Sequence, residues 1–355
     1  MDSGERDENA QGDDKRLAKI TSKEIILRIL RHNEPPRVGF HFNNMKNSDF
    51  TYVGSRVYVD EQPNPYNRWG NHEELLKLTG FSGEVRADRF GNIYGRFNGK
   101  TKGECIRGVI QDWSDFEKYT MPKLDPAFAD KLKGMELGKA KGFVLTSGGS
   151  IFSALRDARL MANALADTAL EPDMVTAFCD RVAEHEVAVI QSLEGCGIDG
   201  MMFGDDWGTQ DRTFISPDSF RELFKPAYKK VFDACHNAGI QCFMHSCGYI
   251  YNFIPDLIDA GVNAFQFDQP DAYPSEVLAE EFGRQVVFHS PVDIQKVLPT
   301  GNREVIEKRA FEMLDIFKKC GGSWIAKDYP SYGDIGVDPK WARWAEKIIV
   351  ANAKM

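Results

Sequence analysis

Between residues 141 and 329 the chain repeats one alternation, strand then helix, and little else can be built from that. "KGFVLTSGG" (141–149) is an apolar run ending in glycine, the mark of a buried strand. "MVTAFCDRVAEHEVAVIQSLEG" (174–195) places its apolar residues at helical spacing. The pattern then repeats: strand "GIDGMMFGDD" (197–206), helix 216–239 with Ser216 as cap and Pro217 in its first turn, strand "IQCFMHSC" (240–247), helix 251–261. Strand "VNAFQFDQ" (262–269), helix 275–283, strand "QVVFHSPVD" (285–293), helix 302–321, strand "GSWIAKDY" (322–329) and a closing helix 338–354 complete it. Strands separated by helices form a parallel sheet with helical crossovers.

Upstream, "TSKEIILRILRHNE" (21–34) carries a capping box and reads as a helix, and "PPRVGFHF" (35–42) as a strand. With a weaker strand, "TYVGSRVYV" (51–59), the count reaches eight. Eight strand–helix units in one domain predict an α/β fold, the (β/α)8 TIM barrel, with a doubly wound open sheet as the alternative. Residues 50–125, rich in aromatics, glycine and asparagine, read as an elaboration on that barrel. It includes a hairpin turning at Asn98-Gly99, so residues 20–355 are expected to be one domain with an N-terminal helical and hairpin elaboration. The first 19 residues are polar and mostly acidic, as in a disordered tail, without the apolar core of a signal peptide.

A formal charge of −9 argues against nucleic-acid or anionic-membrane binding, which needs basic patches. The seven cysteines are scattered and odd in number, which fits a reducing cytoplasm better than a disulfide framework. No apolar run reaches the roughly 18–20 residues of a membrane span.

A barrel brings all strand C-termini to one face and builds its chemistry there. In this chain those ends carry His41, Asn43 and Asn44; Thr146 and Ser147; Asp205 and Asp206; His245 and Cys247; Gln266, Asp268 and Gln269; His289 and Asp293; Lys327, Asp328 and Tyr329. Such a concentration of ionisable groups at one register points to an active site. His245 and Cys247 share one side of their strand by period-2 alternation, and imidazole with thiolate is a zinc-ligand pair. There is no CxxC, so a four-ligand structural zinc site is disfavoured, whereas a catalytic zinc needs only three protein ligands. Asp205, Asp206, Asp268, Asp328 and Tyr329 are on the correct face to supply the third, and Cys320 precedes its strand and is on the wrong one. The bland alternative is a core histidine beside an inert thiol. Of the adjacent acids Asp205 and Asp206, one is expected to face the site and the other to brace the loop. Phe42, Trp207, Phe214 and Tyr249 are candidates to wall a flat ligand, with Asn43 and Gln266 as polar contacts. His289 is a candidate acid/base or a partner of a metal ligand, with a core role the alternative. "TSGGSIF" (146–152) is glycine-rich but matches no phosphate-binding fingerprint.

"GDDWGTQ", "ISPDSFRELFKPAYKKVFDACHNAGIQCFMHSCGYI", "PDLIDAGVNAFQFDQP", "VDIQKVLPTGNREVIEKR" and "GGSWIAKDY", in that order and spacing, resemble the uroporphyrinogen decarboxylase superfamily, and within it the cobalamin-dependent methyltransferase branch. "DRFGNIYGRF" and "IQDWSDFEKYTMPKLDP" resemble the family's N-terminal half less distinctively. The decarboxylases carry an arginine-rich clamp after the first strand, and "GFHFNNMKNSDF" (39–50) has no arginine, so decarboxylation of uroporphyrinogen is not expected. The resemblance implies zinc held by His245, Cys247 and, at the place of the branch's usual third ligand, Tyr329, with Asp328 adjacent. It implies transfer of a methyl group from a small donor, an aromatic methyl ether fitting best, to the Co(I) corrinoid of a partner protein. Asp206 or Asp205 would then orient the metal or its water, and Asp268 would bind donor hydroxyls or support a ligand. The rival readings are a metal-free decarboxylase or lyase and a non-catalytic binding barrel. The oligomeric state stays open, a homodimer being one option.

Overall fold

The structure, a computed structural model, describes residues 20–54, 64–97, 99 and 102–355. The expected acidic tail, residues 55–59 of the expected second strand and Asn98 of the expected hairpin turn lie outside them.

The strands form as the alternation predicts. β1 (Gly39–His41), β2 (Phe50–Tyr52), β6 (Phe143–Ser147), β7 (Gly200–Gly204), β8 (Gln241–His245), β9 (Ala264–Gln266), β10 (Val287–Ser290) and β11 (Trp324–Lys327) make an eight-stranded sheet. Its order is β1-β11-β10-β9-β8-β7-β6-β2, and each ladder is parallel. The two end strands come together through Asp49, whose N–H donates to the Phe40 carbonyl (2.8 Å) while its carboxylate accepts from Phe40 N (2.9 Å). Arg37 holds the same carboxylate at 2.6 Å, which fixes the seam. The sheet is thus a nearly closed (β/α)8 barrel. β3 (Glu84–Ala87), β4 (Ile93–Arg96) and β5 (Glu104–Arg107) form a separate antiparallel sheet with its own small core of Leu75, Val85, Ala87 and Ile93.

Alternation along the barrel strands separates two packings. Phe40, Val144, Met201, Cys242, Phe265, Phe288 and Trp324 join the core that packs with the surrounding helices. Phe50, Phe143, Leu145, Phe243, Ala264, Val287 and Ile325 point inward and form a separate apolar cluster. The helix Ser22–Leu30 contributes Ile25, Ile26, Ile29 and Leu30 to that inner cluster. It lies across the N-terminal end of the barrel, tied there by Lys23 to Asp199 (2.6 Å). Two inward glycines make the filling fit. A Cβ at Gly39 would stand 2.7 Å from Ile26, and one at Gly200 would stand 2.6 Å from Phe143. The plugged end is a packed core, and the open end is left for chemistry.

One expected helix is broken. Residues 216–239 form two helices, Pro217–Leu223 and Lys225–Asn237, because Pro226 has no N–H to continue the ladder. Two further helices, Phe152–Arg159 and Met161–Leu170, fill the stretch before Pro172–Ser192. Among the described residues no helix is long and apolar enough to cross a membrane.

Candidate metal centre

At the C-terminal end the inward register continues, but its residues change character. The alternation that buries Phe243 delivers His245 and then Cys247 to the same side, and the one that passes through Met202 and Gly204 delivers Asp206. The ligand-type atoms of Asp206, His245 and Cys247 all lie within 4.8 Å of one another. His245 Nε2 is 3.4 Å from Asp206 Oδ1 and 3.4 Å from Cys247 Sγ.

His245 Nδ1 is 3.2 Å from the Gln266 carbonyl oxygen. A carbonyl only accepts, so Nδ1 carries a proton and donates it, and the ring presents Nε2 to Asp206 and Cys247. This carbonyl–imidazole bond is the arrangement that orients a metal-binding histidine. The separations also suit an ion. Two atoms about 2.0–2.3 Å from a tetrahedral zinc stand roughly 3.3–3.6 Å apart, the range of both distances from Nε2. The nitrogen, sulfur and oxygen set therefore fits a zinc-type ion that keeps an open position. Without one, burial disfavours a charged His245, but its bonds to Asp206 and Cys247 outweigh that and raise its pKa to about 10. Burial likewise opposes charge on Asp206, and its bonds to His245 and to Cys247 N–H (2.9 Å) hold it at about 2.

Asp205 and Asp206 divide as two successive residues of a strand must. Asp205 points outward, buried, and accepts from the N–H groups of Ile151 (2.8 Å), Phe152 (3.1 Å) and Ser153 (2.6 Å) and from the Tyr228 hydroxyl (2.5 Å). Its carboxylate caps the loop entering the helix Phe152–Arg159 and is not part of the group with His245 and Cys247, although its N–H donates to the His245 carbonyl (3.0 Å).

Across the opening, Asp268 Oδ1 accepts from Lys327 Nζ (2.6 Å) and from Gln266 Nε2 (2.7 Å). Tyr329 follows β11, its N–H donating to the Tyr332 hydroxyl (3.2 Å), and burial, then the charges of Asp268 and Cys247, raises the pKa of its own hydroxyl. Asp328 turns away, accepting from Asn43 N–H (2.8 Å) and Tyr332 (2.8 Å), which anchors the loop after β11. Asn43 is exposed beside it, its amide 3.5 Å from the Tyr329 carbonyl. Cys320 lies before β11 and donates to the Ala279 carbonyl (3.2 Å), away from this face.

His289 lies deeper in the barrel. Its Nε2 is 3.0 Å from His41 Nδ1, and among the described residues its Nδ1 has no hydrogen-bond partner. Burial, then the charges of His41 and Lys327, depress His289 well below the usual range, and burial then Lys327 lowers His41 to about 4. Both are neutral imidazoles at the base of the site.

Two expected ligand walls are corrected. Trp207 has no exposed surface: it stacks on Phe152 at 4.0 Å and donates Nε1 to Tyr228 (2.9 Å), among the helices outside the barrel. Phe42, 4% exposed, packs on Phe40 in the same outer core. Both fall on the outward parity of their strands. Phe214 packs partly buried 6.1 Å from Phe152, and Tyr249 is half-buried between Tyr251 (6.1 Å) and Tyr273 (5.3 Å). The residue missing from the expected binding and catalytic set is Lys327. Its inward parity with Ile325 was the available signal.

The profile of uroporphyrinogen decarboxylase matches residues 141–327, more than half of the chain. No curated protein matches. Among solved structures, a methyltransferase from Methanosarcina mazei superposes with a TM-score of 0.64 at 14% identity, covering 94% of this chain and 99% of that one. A 2,3-dimethylmalate lyase (10% identity, covering 94% and 89%) and a D-psicose 3-epimerase from Clostridium cellulolyticum H10 (13% identity, covering 68% and 86%) each give a TM-score of 0.37, too low to add to the fold.

Proposed function

The chain belongs to the uroporphyrinogen decarboxylase family, and we propose that within it this protein is a zinc-dependent methyltransferase, moving a methyl group from a small methylated donor to the Co(I) corrinoid of a partner protein. The observation that carries the reading is the cluster of Asp206, His245 and Cys247 at the barrel mouth, spaced as ligands of one tetrahedral ion. The absence of arginine from 39–50 supports it against decarboxylation of a polycarboxylate, and the barrel likeness to a methyltransferase is consistent with it.

Zinc held there would supply Lewis acidity to the oxygen that leaves when an ether loses its methyl group. The chain's own residues set up that position. His245 is fixed by Gln266, Asp206 is fixed by Cys247 N–H, and Asp205 holds the adjoining loop. Tyr329 would complete the set or contact the donor, and the Asp268–Lys327 pair would form a polar wall beside it. The His41–His289 pair, half-buried at His41 and buried at His289, supports the floor beneath. Half-buried Tyr249 and Phe214 would be the aromatic surfaces for a flat donor, such as an aromatic methyl ether.

The test is metal content of purified protein, then methyl transfer from ether, amine and thiol donors to free Co(I) cobalamin. About one zinc per chain with transfer from an ether is the expected result. Zinc-free protein after anaerobic reconstitution, with no transfer from any donor, would return the fold to a metal-free lyase or a binding barrel.

A further inference from the structure

Lys327 is the one ammonium on the inward register of the described barrel strands, and its side chain is 8% exposed. It starts at the end of β11, crosses the intervening β10 and ends 2.6 Å from Asp268, just beyond β9. Among the described residues Asp268 is the acceptor recorded for it, and Asp268 Oδ1 is shared with Gln266 Nε2. An ammonium has three N–H donors, so this one has donors to spare beyond that bond. A buried ammonium is costly unless its donors are satisfied, and a strand crossing alone could be made by an apolar side chain. Gln266 ties the pair to the candidate metal ligands: its amide donates to Asp268 Oδ1 (2.7 Å) and its carbonyl accepts from His245 Nδ1 (3.2 Å).

We propose that Lys327 is a specificity residue that anchors a carboxylate on the molecule entering the barrel mouth. The donor class is then a methylated aromatic acid rather than a neutral ether. This rests on the mouth being the donor site, as proposed above. Asp268 orients the ammonium, and the carboxylate of the incoming acid takes its remaining N–H groups as charge-assisted hydrogen bonds. The arrangement rejects a neutral donor by leaving those donors unpaired in a dry site.

The experiment compares benzoate with benzamide, which match in shape and differ in charge, by calorimetric titration of the full chain with and without zinc. Wild type should bind benzoate at least about tenfold more tightly than benzamide. Lys327→Arg should keep that preference, and Lys327→Met should abolish it. Asp268→Asn, which removes the internal competitor, should tighten benzoate and leave benzamide unchanged. It also decides the matter if the Met variant does not fold. Equal binding in wild type, a preference that survives Lys327→Met because the metal carries it, or benzoate weakened or unmoved by Asp268→Asn would overturn the inference. The readout is independent of turnover. Lys327-dependent benzoate binding in a protein that moves no methyl group would sink the methyltransferase reading alone, and transfer without a benzoate preference would sink this one alone.

Discussion

Leu145, Phe243, Val287 and Ile325 fill the barrel at its N-terminal end, while one turn of the pleat further along the same strands the inward positions are Ser147, His245, His289 and Lys327. The backbone is common to both layers, and so is the parallel register. What differs is the partner each layer was given. The lower one meets the aliphatic face of Ser22–Leu30, so each side chain there is stabilised by leaving water, about 1.5–3 kcal/mol apiece. The upper one has no such plug, and its groups are held by one another: His245 by Gln266, Lys327 by Asp268, His41 by His289. The comparison teaches a division of labour. Stability should be sensitive to the lower layer and indifferent to much of the upper one, and ligand binding the reverse.

The largest effect expected from breaking that division is on the metal. Cys247→Ser and His245→Ala should each lower zinc affinity by more than about a hundredfold, the upper bound for residues that merely support a ligand. Metal analysis of purified variants reads this directly, and their melting temperatures should stay near wild type. Retention of stoichiometric zinc by both would remove the pair from the centre. The mirror-image variant is Phe143→Ala, which should cost about 3–5 kcal/mol in denaturant unfolding because it empties the lower layer beneath Gly200, with zinc content unchanged. Coupled loss of zinc would mean that the two layers are one unit.

A finer cut uses neighbours in sequence. Asp205→Asn should destabilise by about 3 kcal/mol, since the amide cannot accept from Ile151, Phe152, Ser153 and Tyr228 together, and should leave zinc bound. Asp206→Asn should do the opposite, weakening zinc about tenfold or more with less than about 1 kcal/mol of stability lost. Chemical denaturation and competitive zinc titration on both variants would show whether the two carboxylates are separate. Matching losses in both assays would show that they are not.

That pair also shows how much the sequence made legible. The parallel sheet with helical crossovers followed from alternation, because buried parallel strands and amphipathic helices have different periods, and the count of eight favoured the barrel over an open sheet. His245 and Cys247 were visible because two ligand types at i and i+2 must share a side. Parity could have gone further: Gly200 and Gly204 face inward, so Asp206 does and Asp205 and Trp207 do not, and the same rule removes Phe42 from the opening. The break at Phe224 was foreshadowed by Pro226. Which distant strand end would meet which was not legible. Lys327 reaches Asp268 over β10, and His41 meets His289 over β11, contacts fixed by the strand order rather than by local pattern.

The smallest effect concerns a carboxyl outside both layers. Glu186, on the helix Pro172–Ser192, is 5% exposed and accepts from Gly149 N–H (2.9 Å) beside a cavity of about 210 Å³. Burial raises its pKa to about 7; the bond from Gly149 opposes this, and the charge of Asp205 adds to it. A carboxyl whose folded pKa lies above its unfolded value favours the fold while protonated, so its contribution is full below the unfolded pKa and lost as pH rises through about 7. The shift sets a ceiling of about 3 kcal/mol, and relaxation of the cavity leaves an expected 1–2 kcal/mol, both roughly scaled at 1.4 kcal/mol per unit. Glu186→Gln keeps a carbonyl for Gly149 but carries no charge at any pH. Its unfolding free energy should therefore exceed wild type by about 1–2 kcal/mol near pH 8.5 and match it near pH 4.5. Parallel pH profiles for the two proteins would mean that the cavity admits enough water to solvate the carboxylate, making this wall of the barrel wetter than its burial implies.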